Sequence, residues 1–242
     1  WLRILRISNS PTIVSNIMVG VALSIHAHHV QWSDRIHSPP LQLFKPLFFI
    51  STVLLLLYFA GMILNDAFDA KRDADIRPER PIPQGVISVR NAWVVGLIML
   101  ATAFLISLGI GIASGLATFA LIFCILLYTV FHHSSVAAIP LMALCRGLVL
   151  VVAYSAFSPP MPAELVVFCG AIALYTAILT FMGGAESKKC DGGAWIVWLS
   201  LIPAIIAVAF YGSSSPIAWV AFGVYFVWIW IAWRAFAYAK EN

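Results

Sequence analysis

Long apolar runs, separated by short turns that contain proline, glycine or serine, fill this chain from end to end. Each run is long enough, at about 20 residues, to cross the hydrocarbon core of a bilayer as a helix. The pattern predicts an all-α, polytopic transmembrane bundle of about eight spans. The spans cover approximately residues 10–28, 47–66, 92–111, 114–132, 136–157, 164–183, 194–212 and 216–237.

Composition supports a membrane protein. The 242 residues are 62% hydrophobic and 10% charged, with a mean hydropathy of +0.97, whereas about a quarter of a typical soluble domain is charged. No stretch predicts a second, soluble domain, so we expect one domain over residues 1–242. Because the chain begins with Trp1 rather than methionine, and stops soon after the eighth span, we expect truncation at one or both ends.

The basic residues predict the orientation in the membrane. An even number of spans puts both termini on one side, and the other side then holds only Arg35 and Lys45. The first side collects the other twelve: Arg3, Arg6, Lys71, Arg72, Arg77, Arg80, Arg90, Arg146, Lys188, Lys189, Arg234 and Lys240. By the positive-inside rule we expect the termini and the Asp66–Gly85 loop to be cytoplasmic. The expectation of a bacterial inner membrane comes instead from the family resemblance described below.

Other functional classes find little support in the composition. The net charge of +4 is modest, and the sequence has no basic cluster interleaved with aromatic residues, so we expect no nucleic-acid partner. The four cysteines are scattered without a CxxC spacing, which gives no sign of a disulfide framework or a zinc site.

Three carboxylates at helical spacing end the second apolar run. Asp66, Asp69 and Asp73 follow one another by three and four residues, and Asn65 lies four before Asp69. On one helix these side chains point to roughly one face, whereas Asp75 points away from it. Because crowded carboxylates repel each other at a membrane edge, the spacing indicates a divalent-cation site, and oxygen ligands suit Mg²⁺.

The loop after these acids carries two arginines, Arg77 and Arg80, among several prolines. Guanidinium groups bind diphosphate oxygens with forked hydrogen bonds, so both are candidates to bind the leaving group of a phosphorylated substrate. Gly85 and the prolines predict a fixed turn back to the third span.

These residues resemble a known family. Asn65-Asp66-x-x-Asp69-x-x-x-Asp73, followed by Arg77-Pro78-Glu79-Arg80-Pro81-Ile82-Pro83-x-Gly85, is similar to the first aspartate-rich motif of the UbiA superfamily of intramembrane prenyltransferases. Asn16 in the first span, Tyr128 in the fourth and Arg146 in the fifth also occupy positions familiar from that family.

The resemblance implies a helical bundle, usually of nine spans, around a central cavity open to lipid. It implies a Mg²⁺-dependent prenyltransferase that moves a prenyl group from a polyprenyl diphosphate to an aromatic or other small lipid-soluble acceptor. The implied catalytic residues are Asp66, Asp69, Asp73 and Arg77, and the three aspartates are also the implied metal ligands. The implied substrate-binding residues are Asn65, Arg80, Asn16, Tyr128, Arg146, Lys188, Glu186 and Asp191.

The second acidic motif of the family is degenerate in this chain. Glu186 and Asp191 are five residues apart, about 140° around a continuous helix, so they share a face only if the helix ends between them. Lys188 or Lys189 either replaces metal charge at the diphosphate or belongs to a basic loop that sets topology. His132 and His133 stand where relatives carry Lys or Arg, and they either contact phosphate or are ordinary loop histidines.

Two readings from other classes remain open. A catalytically weakened family member would bind an isoprenoid or pigment as a membrane scaffold, which the degenerate second motif motivates. A cation transporter would use the same acids, but its site is expected near the bilayer midplane and between internal repeats, and the sequence shows neither.

Overall fold

The computed structural model describes residues 1–5, 10–32, 41–157, 161, 163–187, 196–199, 201–211 and 216–241. Throughout these residues the regular secondary structure is helical, which confirms the predicted all-α class. The helices are α1 (Leu2–Leu5), α2 (Ser10–Trp32), α3 (Leu41–Phe68), α4 (Ala70–Ile76), α5 (Val89–Ile110), α6 (Ile112–Phe131), α7 (Ser135–Ser155), α8 (Ala163–Ser187), α9 (Ile196–Leu199), α10 (Leu201–Tyr211) and α11 (Pro216–Glu241).

Five of the described helices are long and apolar enough to cross a membrane. They correspond to Phe44–Phe68, Val89–Ile110, Ile112–Phe131, Val136–Ser155 and Ala163–Phe181. Shorter apolar segments lie at Ile13–Ser24 and Trp219–Ile231, and the predicted seventh span holds the short helices α9 and α10. The chain is therefore an integral membrane protein, while the count of eight spans stays a prediction.

Two compact units are distinguished by contacts along the chain. One comprises Trp1–His132 and Leu148–Leu165, and the other comprises His133–Gly147 and Val166–Asn242. The single domain and the central lipid-facing cavity both stay predictions. The second unit contains a small core in which Leu201 and Ile229 are buried, with Trp198, Tyr225 and Trp233 packed around them.

The first unit is built around α3. Its buried side chains recur at helical spacing, which places one continuous stripe of the helix against its neighbours. That stripe comprises Ile50, Val53, Leu54, Leu57, Ala60, Leu64 and Ala67. The stripe of α5 that is buried consists mainly of small residues: Ala92, Gly96, Leu100, Ala103 and Ser107. Small residues let membrane helices approach closely, so dispersion contacts between backbones and side chains hold this unit together.

The aspartate-bearing segment differs in one respect from the prediction of a single helix. Helix α3 ends at Phe68, α4 begins at Ala70, and Asp69 lies between them. The backbone nevertheless keeps helical hydrogen bonds across the junction, from Asp69 N to Asn65 O (2.9 Å) and from Asp73 N to Asp69 O (2.8 Å). The prediction of an unbroken helix was wrong, but the near-helical path keeps the three carboxylates on adjacent turns.

The loop between α4 and α5 is folded back onto the helices. Ile82 and Ile87 are buried with Ile63 and Ala92 in a small apolar cluster. Gly85 has a φ of +75°, which confirms the predicted turn, because this left-handed backbone favours glycine. Helix α5 then begins with the Ser88 hydroxyl accepting a hydrogen bond from Asn91 N (3.1 Å). The anchored loop holds Arg80 close to α3 and α4.

Candidate active site

The three aspartates lie at the junction of α3 and α4, and they differ in exposure. Asp66 and Asp73 are both 6% exposed, Asp69 is half-buried, and Asp75 is exposed. Asp75 is thus the most exposed of these four acids, and its direction relative to the others stays a prediction. Carboxylates this buried need compensation from cations or hydrogen-bond donors, because burial penalises their charged form.

Arg80 supplies that compensation for two of the carboxylates. Its Nη1 donates to Asp66 Oδ1 at 3.2 Å and also to Asp73 Oδ2. The guanidinium is itself largely buried, with 19% of its side chain exposed. One arginine from the folded-back loop therefore ties the end of α3 to α4. The sequence placed Arg80 near these acids as a phosphate ligand and did not foresee that it bridges them.

His132, the residue that caps α6, contacts the third carboxylate. Its Nε2 lies 3.0 Å from Asp69 Oδ2, and its Nδ1 lies 2.9 Å from the carbonyl oxygen of Thr129. The imidazole is thereby oriented by two contacts, one with the end of its own helix and one with Asp69. The sequence left open whether His132 was a site residue. The structure places it in direct contact with Asp69.

Aromatic side chains surround this histidine. The ring centroid of Tyr128 is 5.7 Å from that of His132, and the ring of Phe68 is 6.2 Å away, edge-on. Tyr128 lies one helical turn before His132, beside the residue that contacts Asp69.

Arg77 differs from Arg80 in its exposure and in its contacts. It is exposed, and its side chain forms no hydrogen bond or ion pair with the described residues. Its guanidinium is therefore available to an anionic ligand. Of the two arginines in the loop, Arg80 holds Asp66 and Asp73 in place. The exposed side chain of Arg77 can bind an anion.

The aspartates and Asn65 offer oxygen donors of the kind that suits a hard divalent cation. Among the described residues, Asp69, His132 and His133 bring their potential ligand atoms within 4.8 Å of one another, while Asp66 and Asp73 are held by Arg80. The Asn65 Oδ1 atom is buried without a hydrogen-bond partner among the described residues. An unsatisfied carbonyl oxygen beside carboxylates is the kind of ligand that Mg²⁺ takes up.

Other predicted site residues fall elsewhere. Asn16 is half-buried on α2, and Arg146 is half-buried on α7 in the second unit. Helix α8 continues to Ser187 and so includes the backbone of Glu186, while the side chain of Glu186 lies outside the described structure. Lys188 and Asp191 also lie outside the described residues. The degenerate second motif therefore stays a prediction.

The comparisons with known proteins agree with this fold. Residues 17–191 match the model of the UbiA prenyltransferase family, and the chain belongs to that family. Two solved structures share the fold: a UbiA homolog from Archaeoglobus fulgidus bound to DMAPP and Mg²⁺, and a protein described in work on digeranylgeranylglyceryl phosphate synthase in membranes. The first has a TM-score of 0.63 at 15% identity and covers 95% of this chain and 85% of its own. The second has a TM-score of 0.62 at 18% identity, with coverages of 99% and 85%.

Similar curated proteins carry the name digeranylgeranylglyceryl phosphate synthase. That of Sulfolobus acidocaldarius is 37% identical over 86 residues, which cover 35% of this chain and 30% of the relative. That of Methanothermobacter thermautotrophicus is 47% identical over 57 residues, covering 24% and 20%. The matches thus span less than a third of the length of these relatives.

Proposed function

We propose that this protein is a Mg²⁺-dependent prenyltransferase that acts on a polyprenyl diphosphate within the membrane. The observation that carries the proposal is the cluster of three carboxylates, clamped by Arg80 and His132 at the end of a membrane-spanning helix. Membership of the UbiA prenyltransferase family supports it. So does the family homolog whose structure was determined with DMAPP and Mg²⁺.

Each part of the site has a role in this reaction. Asp66, Asp69 and Asp73, with Asn65, would hold Mg²⁺, which when bound supplies positive charge to the diphosphate. Arg77 binds the diphosphate oxygens that face the loop. The bond between the allylic carbon and the diphosphate oxygen breaks, and its electron pair leaves with the diphosphate. The acceptor then forms a bond to that carbon and loses a proton, which completes the transfer.

The acceptor is small and lipid-soluble in this proposal. An aromatic acceptor was the expectation from the sequence. The relatives named digeranylgeranylglyceryl phosphate synthase support a glycerophosphate-type acceptor as a second candidate. Both classes present a nucleophile to the same allylic carbon, so the donor half of the site is common to them.

The decisive experiment incubates purified protein with radiolabelled geranylgeranyl diphosphate, Mg²⁺ and either an aromatic or a glycerophosphate acceptor. We expect metal-dependent diphosphate release and a prenylated product. Asp66→Asn and Asp69→Asn should each lower turnover by at least about 100-fold, because charge stabilisation at a leaving group is worth that much. Asp75→Asn, an exposed control, should retain activity.

The outcome that would overturn the proposal is tight binding of the donor without diphosphate release at any Mg²⁺ concentration. That result would favour an isoprenoid-binding scaffold instead. Equal turnover in the wild type and in both aspartate variants would show that the carboxylate cluster does not take part in catalysis.

A further inference from the structure

A cavity lies at the other end of α3 from the aspartates. It measures about 480 Å³, is partly open, and is bordered by the start of α3, the end of α5 and the residue after α7, all within the first unit. Among its lining residues are Lys45, Pro46, Phe49, Ile106, Gly109 and Ala156. Lys45 precedes Asp66 by 21 residues, which corresponds to about 30 Å along a helix. The cavity is therefore at the opposite membrane face from the candidate active site.

The cavity walls are apolar except at one point. Lys45 is exposed, and it makes no hydrogen bond or ion pair with the described residues. Phe49, which also lines the cavity, is 40% exposed. The ammonium group of Lys45 therefore stands at the edge of a largely apolar cavity without a counter-ion among the described residues.

We infer that this cavity binds an acyl lipid with an anionic phosphate headgroup, drawn from the leaflet opposite the aspartates. A cavity of this volume is within the range that holds small amphiphilic ligands. Its mainly apolar walls match an acyl chain, and the Lys45 ammonium is the charged side chain in its lining. Lysine side chains at a membrane boundary place the charged end at headgroup level, where an anionic lipid neutralises it. This inference is independent of prenyl transfer.

Gly109 allows the cavity to be filled without damage to the fold. A Cβ at Gly109 would meet nothing within 4 Å, so a larger side chain there projects into open space. Gly170 on α8 has the same property but does not line the cavity. Gly109→Leu therefore blocks the chamber, and Gly170→Leu is a control for the loss of a helical glycine.

The experiment reconstitutes the full chain in vesicles that contain a trace of a photoreactive lipid, with the reactive group in the acyl chain. The lipid is either phosphatidylglycerol or phosphatidylcholine, and the labelled peptides are identified by mass spectrometry. We expect phosphatidylglycerol to label the segments around residues 45–49 and 106–110 preferentially. Lys45→Gln should reduce that labelling about fivefold, to the level of phosphatidylcholine. Gly109→Leu should abolish labelling by both lipids, and Gly170→Leu should leave it unchanged.

Four outcomes would overturn the inference. Equal labelling by the two lipids in the wild type would remove the role of the headgroup charge. Undiminished labelling in Gly109→Leu would show that the lipid lies outside the cavity. Competition by free glycerol phosphate, without an acyl chain, would identify a soluble anion as the ligand. If Lys45→Gln instead lowers the melting temperature in detergent without changing lipid labelling, Lys45 stabilises helix ends and the inference fails.

Discussion

Arg80 and Arg77 are three residues apart, yet only one of them is part of the framework of the site. Arg80 is enclosed and bridges Asp66 and Asp73, whereas Arg77 extends into open space. Removing the cation of a buried ion pair leaves a carboxylate charge buried without compensation. This lowers the free energy of unfolding far more than removing an exposed cation does. The two arginines therefore form a matched pair for experiment.

Arg80→Gln should lower the free energy of unfolding by about 2–4 kcal/mol, because two largely buried carboxylates lose their common partner. Added Mg²⁺ should recover part of that loss by binding the freed carboxylates, and EDTA should reverse the recovery. Arg77→Gln should change stability by less than about 0.5 kcal/mol but should weaken donor binding. Thermal unfolding in detergent with and without Mg²⁺ measures both. An Arg80→Gln protein as stable as the wild type and insensitive to Mg²⁺ would contradict the bridge.

His132 is a positioning residue in this account, since it acts through Asp69. His132→Leu removes the contact and should raise the Mg²⁺ concentration for half-maximal activity by about tenfold, a typical effect of losing a partner of a metal ligand. His132→Gln keeps an amide donor toward Asp69 and should restore most of the wild-type Mg²⁺ requirement. Activity titrated with Mg²⁺ separates this role from a general loss of stability. The same Mg²⁺ requirement in the wild type and in both variants would contradict the positioning role of His132.

At the scale of helices, close packing depends on small residues at defined crossings. Gly20 on α2 approaches α7 so closely that a Cβ would lie 2.5 Å from Ala153 Cβ and 3.1 Å from Leu150 O. A backbone oxygen and a Cβ cannot move independently of their helix. The α2–α7 contact therefore requires glycine at this position, as in other tightly packed membrane helices.

Gly20→Ala should destabilise the protein by about 1–3 kcal/mol, the usual cost of overpacking. The double variant Gly20→Ala with Ala153→Gly moves the methyl group across the interface and should recover most of the loss. Gly109→Ala, where a Cβ meets open space, is the matched control and should not destabilise. Thermal unfolding of the four proteins makes the comparison. Additive losses in the double variant would show that the two positions do not touch.

At the scale of the whole molecule, the orientation in the membrane follows from the uneven distribution of basic residues. The prediction places the loop that carries Gln84 in the cytoplasm and Phe44 at the opposite face. Both positions are exposed, with Phe44 69% exposed, so cysteines introduced there can react.

In a variant whose four native cysteines are replaced by alanine, Phe44→Cys should react with a membrane-impermeant maleimide added to intact cells. Gln84→Cys should react only after the cells are permeabilised, because the loop faces the cytoplasm. Gel-shift detection of the maleimide measures both. The reverse pattern would invert the proposed topology and place the aspartates outside.

The features that the sequence determined are local. Runs of apolar residues define the spans because a backbone in hydrocarbon has to satisfy its own hydrogen bonds. The spacing of Asp66, Asp69 and Asp73 gathers them on adjacent helical turns, and the need for φ > 0 explains Gly85. Each of these follows from a few neighbouring residues.

The tertiary structure alone decided which side chain meets which carboxylate. His132 and Asp69 are 63 residues apart in sequence, and Arg80 reaches Asp66 across 14. These contacts exist because α6 packs beside α3 and because Ile82 and Ile87 fold the loop back onto the helices. The cavity beside Lys45 likewise forms where three helix ends meet. Charge pairs and cavities depend on distances between elements, and those distances are fixed only when the helices pack.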